Sequence, residues 1–438
     1  TGYRFNYNEF KDGKDEYNES VGNLVLNNDF TGTGTGENPD YHLKGYDSWG
    51  NYKPHGGGCN NLSELSAAEF PYTNQNSSEQ NINAAVWHLK KINLPSGGEI
   101  DIEYESDDYA YVQNKRVNRM FMVRGAGEYG NGLVGGSGSN YYMDSGEDGE
   151  RLYTGIGGDH KKFLYVEIDD TETATSQSEL EQKYLGSDLA KPIQFRFLLY
   201  ITNVGGSDGH DATAHFDYVS GFFGYDNSQG LETFTYQSKK YLSVPVKMVK
   251  KEGGFNFTDS SLGDYNPIAK AGWMFGRKYL NSHVYSENSN GDVGGTGSEE
   301  DWLLEIVEEL ATPSLFNNLI QTFQGPNGAL EENKIARRFN TEKSWIRLQE
   351  PDHVKLGGGN RVKTIRMSDV WEAMNPGQTN YETMQYGQIY DYSLVDGSSS
   401  GVATYEPVGN KENPLVQPYF STTEKLLEIG RASCRERV

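Results

Sequence analysis

Apolar and polar residues alternate along this chain in short runs, mostly at a period of two rather than at helical spacing. The sharpest alternation follows the run LKKINLPSGG, Leu89 to Gly98. After it, Glu99, Asp101, Glu103 and Glu105 point one way, and Ile100, Ile102 and Tyr104 the other. Pro95 presets φ for a turn, and Gly97 and Gly98 supply the freedom a hairpin turn needs. Two antiparallel strands are therefore predicted, the second half-buried with an acidic, solvent-facing stripe. Further strands are predicted at 1–7, 119–124, 163–168, 192–201, 215–219, 241–249, 344–348, 355–366 and 386–392. The run 192–201 (PIQFRFLLYI) is the most apolar and is expected to be central in its sheet. Pro245 places its strand at an edge or a bulge.

Helical spacing is rarer. Ser176 to Tyr184 has helical composition with few apolar positions. Asn266-Pro267 opens a helix running to Leu280. A capping-box-like start at Ser298 precedes Trp302, Leu303, Ile306, Val307 and Leu310 on one face. Pro313-Ser314 starts a third helix, carrying Leu315, Phe316, Leu319, Ile320 and Phe323. Residues 266–325 thus read as a small helical insertion in a chain that is mainly β, an extended antiparallel sheet. The Gly-, Asp- and Tyr-rich stretch 125–160 reads as a long surface loop or a set of short hairpins. The expected divisions are β regions at 1–125 and 126–265, a helical insertion at 266–343, a β region at 344–427 and a non-native tail at 428–438.

Composition supports many short strands. The 438 residues are only 35% hydrophobic, yet hold 30 Tyr, 19 Phe and 52 Gly, whereas disordered chains are poor in aromatics. A net charge of −23 argues against nucleic acid and anionic membrane surfaces as partners, since both require a basic footprint. No run approaches the roughly 18 apolar residues of a membrane span. The chain opens at Thr1 without Met and reads as a fragment, so a missing signal peptide says nothing about secretion. Its last 11 residues resemble read-through of a sequencing adapter; setting them aside leaves Cys59 alone, with no disulfide framework or cysteine zinc site.

Four motifs occur in order: the Tyr3–Asn8 strand, Asp47-Ser48-Trp49-Gly50, the Pro95-Ser96-Gly97-Gly98 hairpin ending in Tyr104-Glu105, and a late passage. The carriers of the last are Gly358, Gly359, Arg361, Val362, Lys363, Ile365, Tyr390, Tyr392, Ser400 and Gly401. Together they resemble the segment that precedes the regular repeats in very large secreted bacterial RHS/YD-repeat proteins. The tandem repeats themselves are absent, and about 130–350 carries no matching motif. The resemblance implies a β-sheet shell segment around a C-terminal effector. It also implies a secreted or cell-surface location, the rest of the parent chain as partner, and structural roles for Asp47, Trp49, Gly50, Pro95, Gly97, Gly98, Tyr104, Gly358, Gly359, Arg361, Lys363 and Gly401.

Enzyme-like motifs lack their context. Gly125-Ala-Gly-Glu-Tyr-Gly130 satisfies G-x-G-x-x-G, but no helix can open readily in the Gly-rich residues after it, so a turn is the expected reading. Gly397-Ser-Ser-Ser-Gly401 satisfies G-x-S-x-G, yet Val402 to Tyr405 continues as a strand where a nucleophile elbow needs a helix. The Glu99–Glu105 carboxylates are too regular for a tuned acid/base pair. His210, Asp211, His215 and Asp217 form the densest group of metal-ligand types, without a third ligand fixed by spacing. Hard oxygen donors in the Asp144–Asp148 and Asn288–Asp292 loops would suit Ca²⁺, although neither completes an EF-hand; solvated turns are expected there. No cofactor is assigned. A non-enzymatic scaffold segment is the expected function, and the alternative is a carbohydrate- or polymer-binding module using the aromatic residues on a surface glycan.

Overall fold

The computed structural model describes residues 4–7, 10–11, 36–37, 45–53, 69–95, 97–154, 159–202, 215–250, 264–279, 330–331, 334–368, 385–407, 412–415 and 428–430. The strands of its first part are β1 (Arg4–Tyr7), β2 (Phe10–Lys11), β3 (Gly36–Glu37), β4 (Leu89–Asn93), β5 (Glu99–Tyr109), β6 (Tyr111–Val112), β7 (Lys115–Arg116) and β8 (Asn118–Gly127). Then come β9 (Phe163–Ile168), β10 (Ile193–Thr202), β11 (His215–Phe223), β12 (Glu232–Tyr236), β13 (Lys239–Pro245), β14 (Val249–Lys250) and β15 (Asp264–Tyr265). The last are β16 (Trp345–Gln349), β17 (Lys355–Ser368), β18 (Gln385–Ile389), β19 (Val402–Ala403) and β20 (Glu428–Gly430). Among the described residues three α-helices join them: α1 (Ser77–Ala84), α2 (Gln177–Tyr184) and α3 (Pro267–Tyr279). The protein is mainly β, with antiparallel sheets. It divides into two compact units, one of residues 1–119 and 349–416, the other of 120–348 and 417–438.

The first unit is organised by a five-stranded sheet in the order β1-β4-β5-β17-β18. The β4–β5 hairpin closes as its residues dictate: the Leu94 N–H donates to Gly98 O, and Gly97 has φ +92°. On the other side of β5 lies β17, antiparallel, with Arg361 opposite Glu105 and Ile365 opposite Ile102. The register shifts between Leu356 and Asn360, where Gly357, Gly358 and Gly359 all have positive φ. Three consecutive left-handed residues require glycine, and they form the bulge that bends the strand. α1 packs on β5 and β17, started by Asn76, whose Oδ1 accepts from the Ser78 and Glu79 N–H groups.

The acidic stripe of β5 is half-exposed as expected, with Asp101 and Glu103 side chains 42% and 53% exposed, and its neighbours supply the opposite charge. Lys91 Nζ lies 2.8 Å from Glu99 and 3.4 Å from Asp101, and Arg361 binds Glu105 at 2.8 Å. Lys363 and Arg366 each stand 3.9 Å from Glu103. Opposite charges across adjacent strands cancel the repulsion that the regular spacing would otherwise create.

The second unit holds an eight-stranded sheet in the order β12-β13-β9-β8-β16-β10-β11-β20. β10, expected at the centre, is the sixth of the eight strands, inside the sheet between β16 and β11, and Phe195, Phe197, Leu199 and Ile201 all lie in one continuous core. α3 covers β10 and β11 with Ile268, Ala269 and Phe275 fully buried. A second, aromatic cluster joins Tyr142, Phe163, Tyr165, Phe234 and Tyr241.

Two local expectations change in this unit. β13 lies between β12 and β9, at neither an edge nor a bulge; Pro245 is tolerated because it is the last residue of the strand. Gly125 and Gly127 lie inside β8 rather than in a turn, and a Cβ on Gly127 would stand 1.8 Å from Tyr165 Oη. Their glycine is explained by close packing of tyrosines. Of the two readings of 125–160, short hairpins fit and a surface loop does not: Leu133 bridges Tyr141, Tyr153 bridges His160, and Tyr142, Leu152 and Tyr153 are buried. Of the predicted helical insertion, α3 is present, and the helices expected after 298 and 313 lie outside the described residues.

Gly272 on α3 gives a test of the packing. A Cβ there would meet Ala336 Cβ at 2.4 Å and Leu199 Cδ1 at 2.8 Å. Helix propensity alone favours Gly272→Ala by about 1 kcal/mol. Overpacking costs about 1–3 kcal/mol and is expected to prevail. Urea unfolding should show Gly272→Ala destabilised; a stabilised variant would refute the contact.

Candidate functional site

The residues singled out by motif converge in the first unit, in structural roles. Asp47 makes a turn: Oδ1 accepts from the Trp49 and Asn51 N–H groups, and Oδ2 from Thr73 Oγ1 at 2.8 Å. Burial raises its carboxyl pKa, although these hydrogen bonds pull the other way. Gly50 completes the turn at φ +87°. Trp49, expected as a core anchor, is half-buried and meets Tyr109 edge-on at 5.8 Å. It is closely approached by Gly357, where a Cβ would stand 2.9 Å from the indole nitrogen. Tyr104 packs beside His88, with ring centroids 5.6 Å apart, and burial pushes its phenol up. Pro95 is exposed, and Gly98 is buried at the base of the hairpin. A Cβ on Gly401 would be 2.3 Å from Asp108 O, so glycine is required for that approach.

Arg361 ties these pieces together. Its Nε donates to Glu105 at 2.8 Å, Nη1 to Asp107 at 3.3 Å and Nη2 to Asp108 at 2.6 Å. Tyr392 lies under the guanidinium, with the ring centroid 4.3 Å away. A rigid planar fork satisfies three acceptors on one strand in a way that a lysine cannot.

Beyond these motifs lies a buried ionic cluster. Lys355 Nζ stands 2.7 Å from Glu406 Oε1 and 2.9 Å from Glu412 Oε2, with side-chain exposures of 1%, 0% and 3%. Tyr109 Oη also donates to Glu406. Burial works to strip Lys355 of its proton, but Glu412 and Glu406 outweigh it and hold its pKa above the ordinary value. Burial and then Glu406 raise the Tyr109 phenol. Nearby, Lys53 donates to the Phe70 and Tyr72 carbonyls, and burial lowers its pKa to about 8 against the pull of Asp47 and Glu412. The sequence carried no sign of this cluster. Glu406 and Glu412 sit in irregular backbone with no periodicity to mark them, and Lys355 falls 51 residues before its partner.

In the second unit, the Asn266 N–H donates to His160 Nδ1 at 3.1 Å, so Nε2 carries the proton facing Glu331 Oε1, also at 3.1 Å. Asn266 Oδ1 accepts from Ile268 N, capping α3. The ring stacks on Tyr153 at 4.9 Å. This arrangement fixes the start of a helix.

The other candidate residues lie in regular elements: Asp144 and Asp148 in a 3-10 helix, Tyr142–Glu150, where solvated turns were expected, and Asp217 in β11. Asp144 accepts from Tyr236 Oη and the Tyr141 N–H, and Asp148 from Arg151. Asp217 Oδ1 accepts from the Tyr218 N–H. His215 begins β11, but its side chain, like all of His210, Asp211, Asn288 and Asp292, lies outside the described residues. Among the described residues no group of three or more His, Cys, Asp or Glu is placed to hold a metal. Ser399 of the G-x-S-x-G run is 4% exposed, and its Oγ accepts from the Gly401 N–H within a turn in which Gly397 has φ +83°. No protein-family model, curated protein or solved structure matches this chain.

Two measurements test this geometry. Arg361→Ala leaves three carboxylates without their cation and should cost about 3 kcal/mol in urea unfolding, with Arg361→Lys intermediate because it keeps charge without the fork. No change in either variant would contradict the junction. The second concerns pH. Lys53 in the folded chain loses its proton near 8 and in the unfolded chain near 10.5, so between them the unfolded state binds more protons and stability rises with pH. Above about 10 the raised tyrosines, such as Tyr142 at about 12, reverse the sign and stability falls. Chemical unfolding across pH 7–11 should show this rise and fall, and Lys53→Met should flatten the rise.

Proposed function

We propose that this chain is a non-catalytic β-scaffold segment of a large secreted or surface-exposed bacterial protein of the RHS/YD-repeat kind. In such a protein its sheet walls in or holds up another part of the parent chain, such as an effector. The observation that carries this is the role of the resembling residues. Asp47 and Gly50 shape a turn, Gly97 a hairpin, Gly358 and Gly359 a bulge, and Gly401 a close approach, while Arg361 clamps two strands. These are positions that hold a sheet, and all of them fall in one compact unit. The edge strand β18 adds support. It is uncharged, with Tyr386 66% and Ile389 81% exposed, so it carries none of the charges that usually blunt a sheet edge.

A second reading rests on a separate observation. Tyr390 and Tyr392 stack at 6.4 Å with 16° between their planes, and Tyr390 and Tyr405 are exposed, which suits contact with a sugar ring. Against it, Trp273 and Trp345 are fully buried and Trp49 and Trp87 half-buried, so the described tryptophans mostly serve the interior.

Both readings are testable with the purified chain. No turnover of chromogenic glycosides or esters is expected; turnover abolished by Ser399→Ala or Glu406→Gln would overturn the scaffold proposal. In polysaccharide affinity gels no retardation is expected. Retardation lost on Tyr390→Ala would instead favour the glycan-binding reading.

A further inference from the structure

We propose that Lys355 and Glu412 condense to an intramolecular isopeptide bond, with Glu406 as the proton carrier. The inference concerns covalent chemistry within the sheet unit and stands apart from what the parent protein encloses.

Three features of the cluster lead to it. Lys355 Nζ touches both glutamate carboxylates, at 2.7 and 2.9 Å, so the nitrogen already stands beside the Glu412 carboxyl carbon. All three side chains are at most 3% exposed, which denies the ions the solvation that would favour their separate forms. The second oxygen of Glu406, Oε2, is buried and meets no hydrogen-bond partner. That open lone pair can take up a proton and hand it on. Tyr109 and Lys355 both donate to the other oxygen, so the carboxyl group is oriented.

The step balances within the cluster. It starts from the Lys355 ammonium and the Glu412 and Glu406 carboxylates. Nζ gives up two protons in total and forms a bond to Glu412 Cδ. One Glu412 C–O bond breaks, and that oxygen leaves as water. Glu406 takes one proton from Nζ and passes it to the departing oxygen, the second Nζ proton goes to the same oxygen directly, and Glu406 ends as the carboxylate it began as. The product is a neutral amide, so two buried charges disappear. Amide formation from an amine and an acid is unfavourable in dilute water. Groups held at reacting distance attain effective molarities of about 10⁵–10⁸ M, and exclusion of bulk water opposes the reverse hydrolysis.

Denaturing intact-mass measurement on the purified, unmodified chain is the test. The expected mass is one water below that of the sequence. Tandem mass spectrometry of a digest should yield a branched peptide joining the segments that contain Lys355 and Glu412. Glu406→Gln should restore the full mass and release both segments as linear peptides. A full-length mass with a linear Lys355 peptide overturns the proposal, as does a water loss mapped elsewhere, for instance to a cyclised Asn. The decisive readout uses the unsubstituted protein, so it does not depend on any variant folding.

Discussion

The first unit depends on one ionic junction, that of Arg361 with Glu105, Asp107 and Asp108. The two strands it joins are separated by about 250 residues of chain, with 256 between Arg361 and Glu105. Closing so long a loop costs only slightly more than closing a short one, because the entropy grows with the logarithm of length. Choosing the right partner strand is the harder problem, and a sheet strand shifted by one residue turns every side chain over. A guanidinium fork that meets three carboxylates in one register discriminates against such shifts more sharply than apolar contacts can. The graded exposure of the pairs agrees: Arg361 and Asp108 are 17% and 13% exposed, whereas Lys363 and Glu103 are 44% and 53% exposed and contribute little.

Glycine performs a second service in both units, by allowing neighbours to come closer than a methyl group would permit. Gly401 admits the backbone of Asp108, and Gly127 admits Tyr165. Gly272 lets α3 settle on Leu199 and Ala336. Together these explain why a chain poor in aliphatic residues can still build a dense interior. Its largest buried side chains are mostly tyrosine, phenylalanine and tryptophan, and those rings need recesses to fill. The aromatic cluster around Tyr165 and Phe234, beside Gly127 and Gly132, is such a case.

Much of this was legible in the sequence. The β4–β5 hairpin, β9 and the start of α3 followed from turn residues, alternation and an Asn-Pro cap, all of which are local signals. The motifs at Asp47 and Arg361 were visible as patterns. That Glu105 and Arg361 belong to one ladder was not, because pairing across 256 residues leaves no local trace. The counter-charges of the acidic stripe were hidden for the same reason: most lie on a strand the pattern could not assign to it. Gly125 and Gly127 looked like turn residues because a close-approach glycine and a turn glycine are identical in composition. Pro245 misled because a strand's last residue tolerates what its middle does not. The Lys355–Glu406–Glu412 cluster was invisible, since two of its members sit in irregular backbone.

A scaffold of this kind stands or falls with the pairing of its distant strands, and that pairing can be locked chemically. In the β5–β17 ladder Ile102 faces Ile365 directly. With Cys59 and Cys434 replaced by serine, the double substitution Ile102→Cys and Ile365→Cys should form a disulfide in the folded chain under mild oxidation. The slipped pair Ile102→Cys with Thr364→Cys should remain reduced. Efficient cross-linking of the slipped pair, or of neither, would contradict the register on which the junction rests.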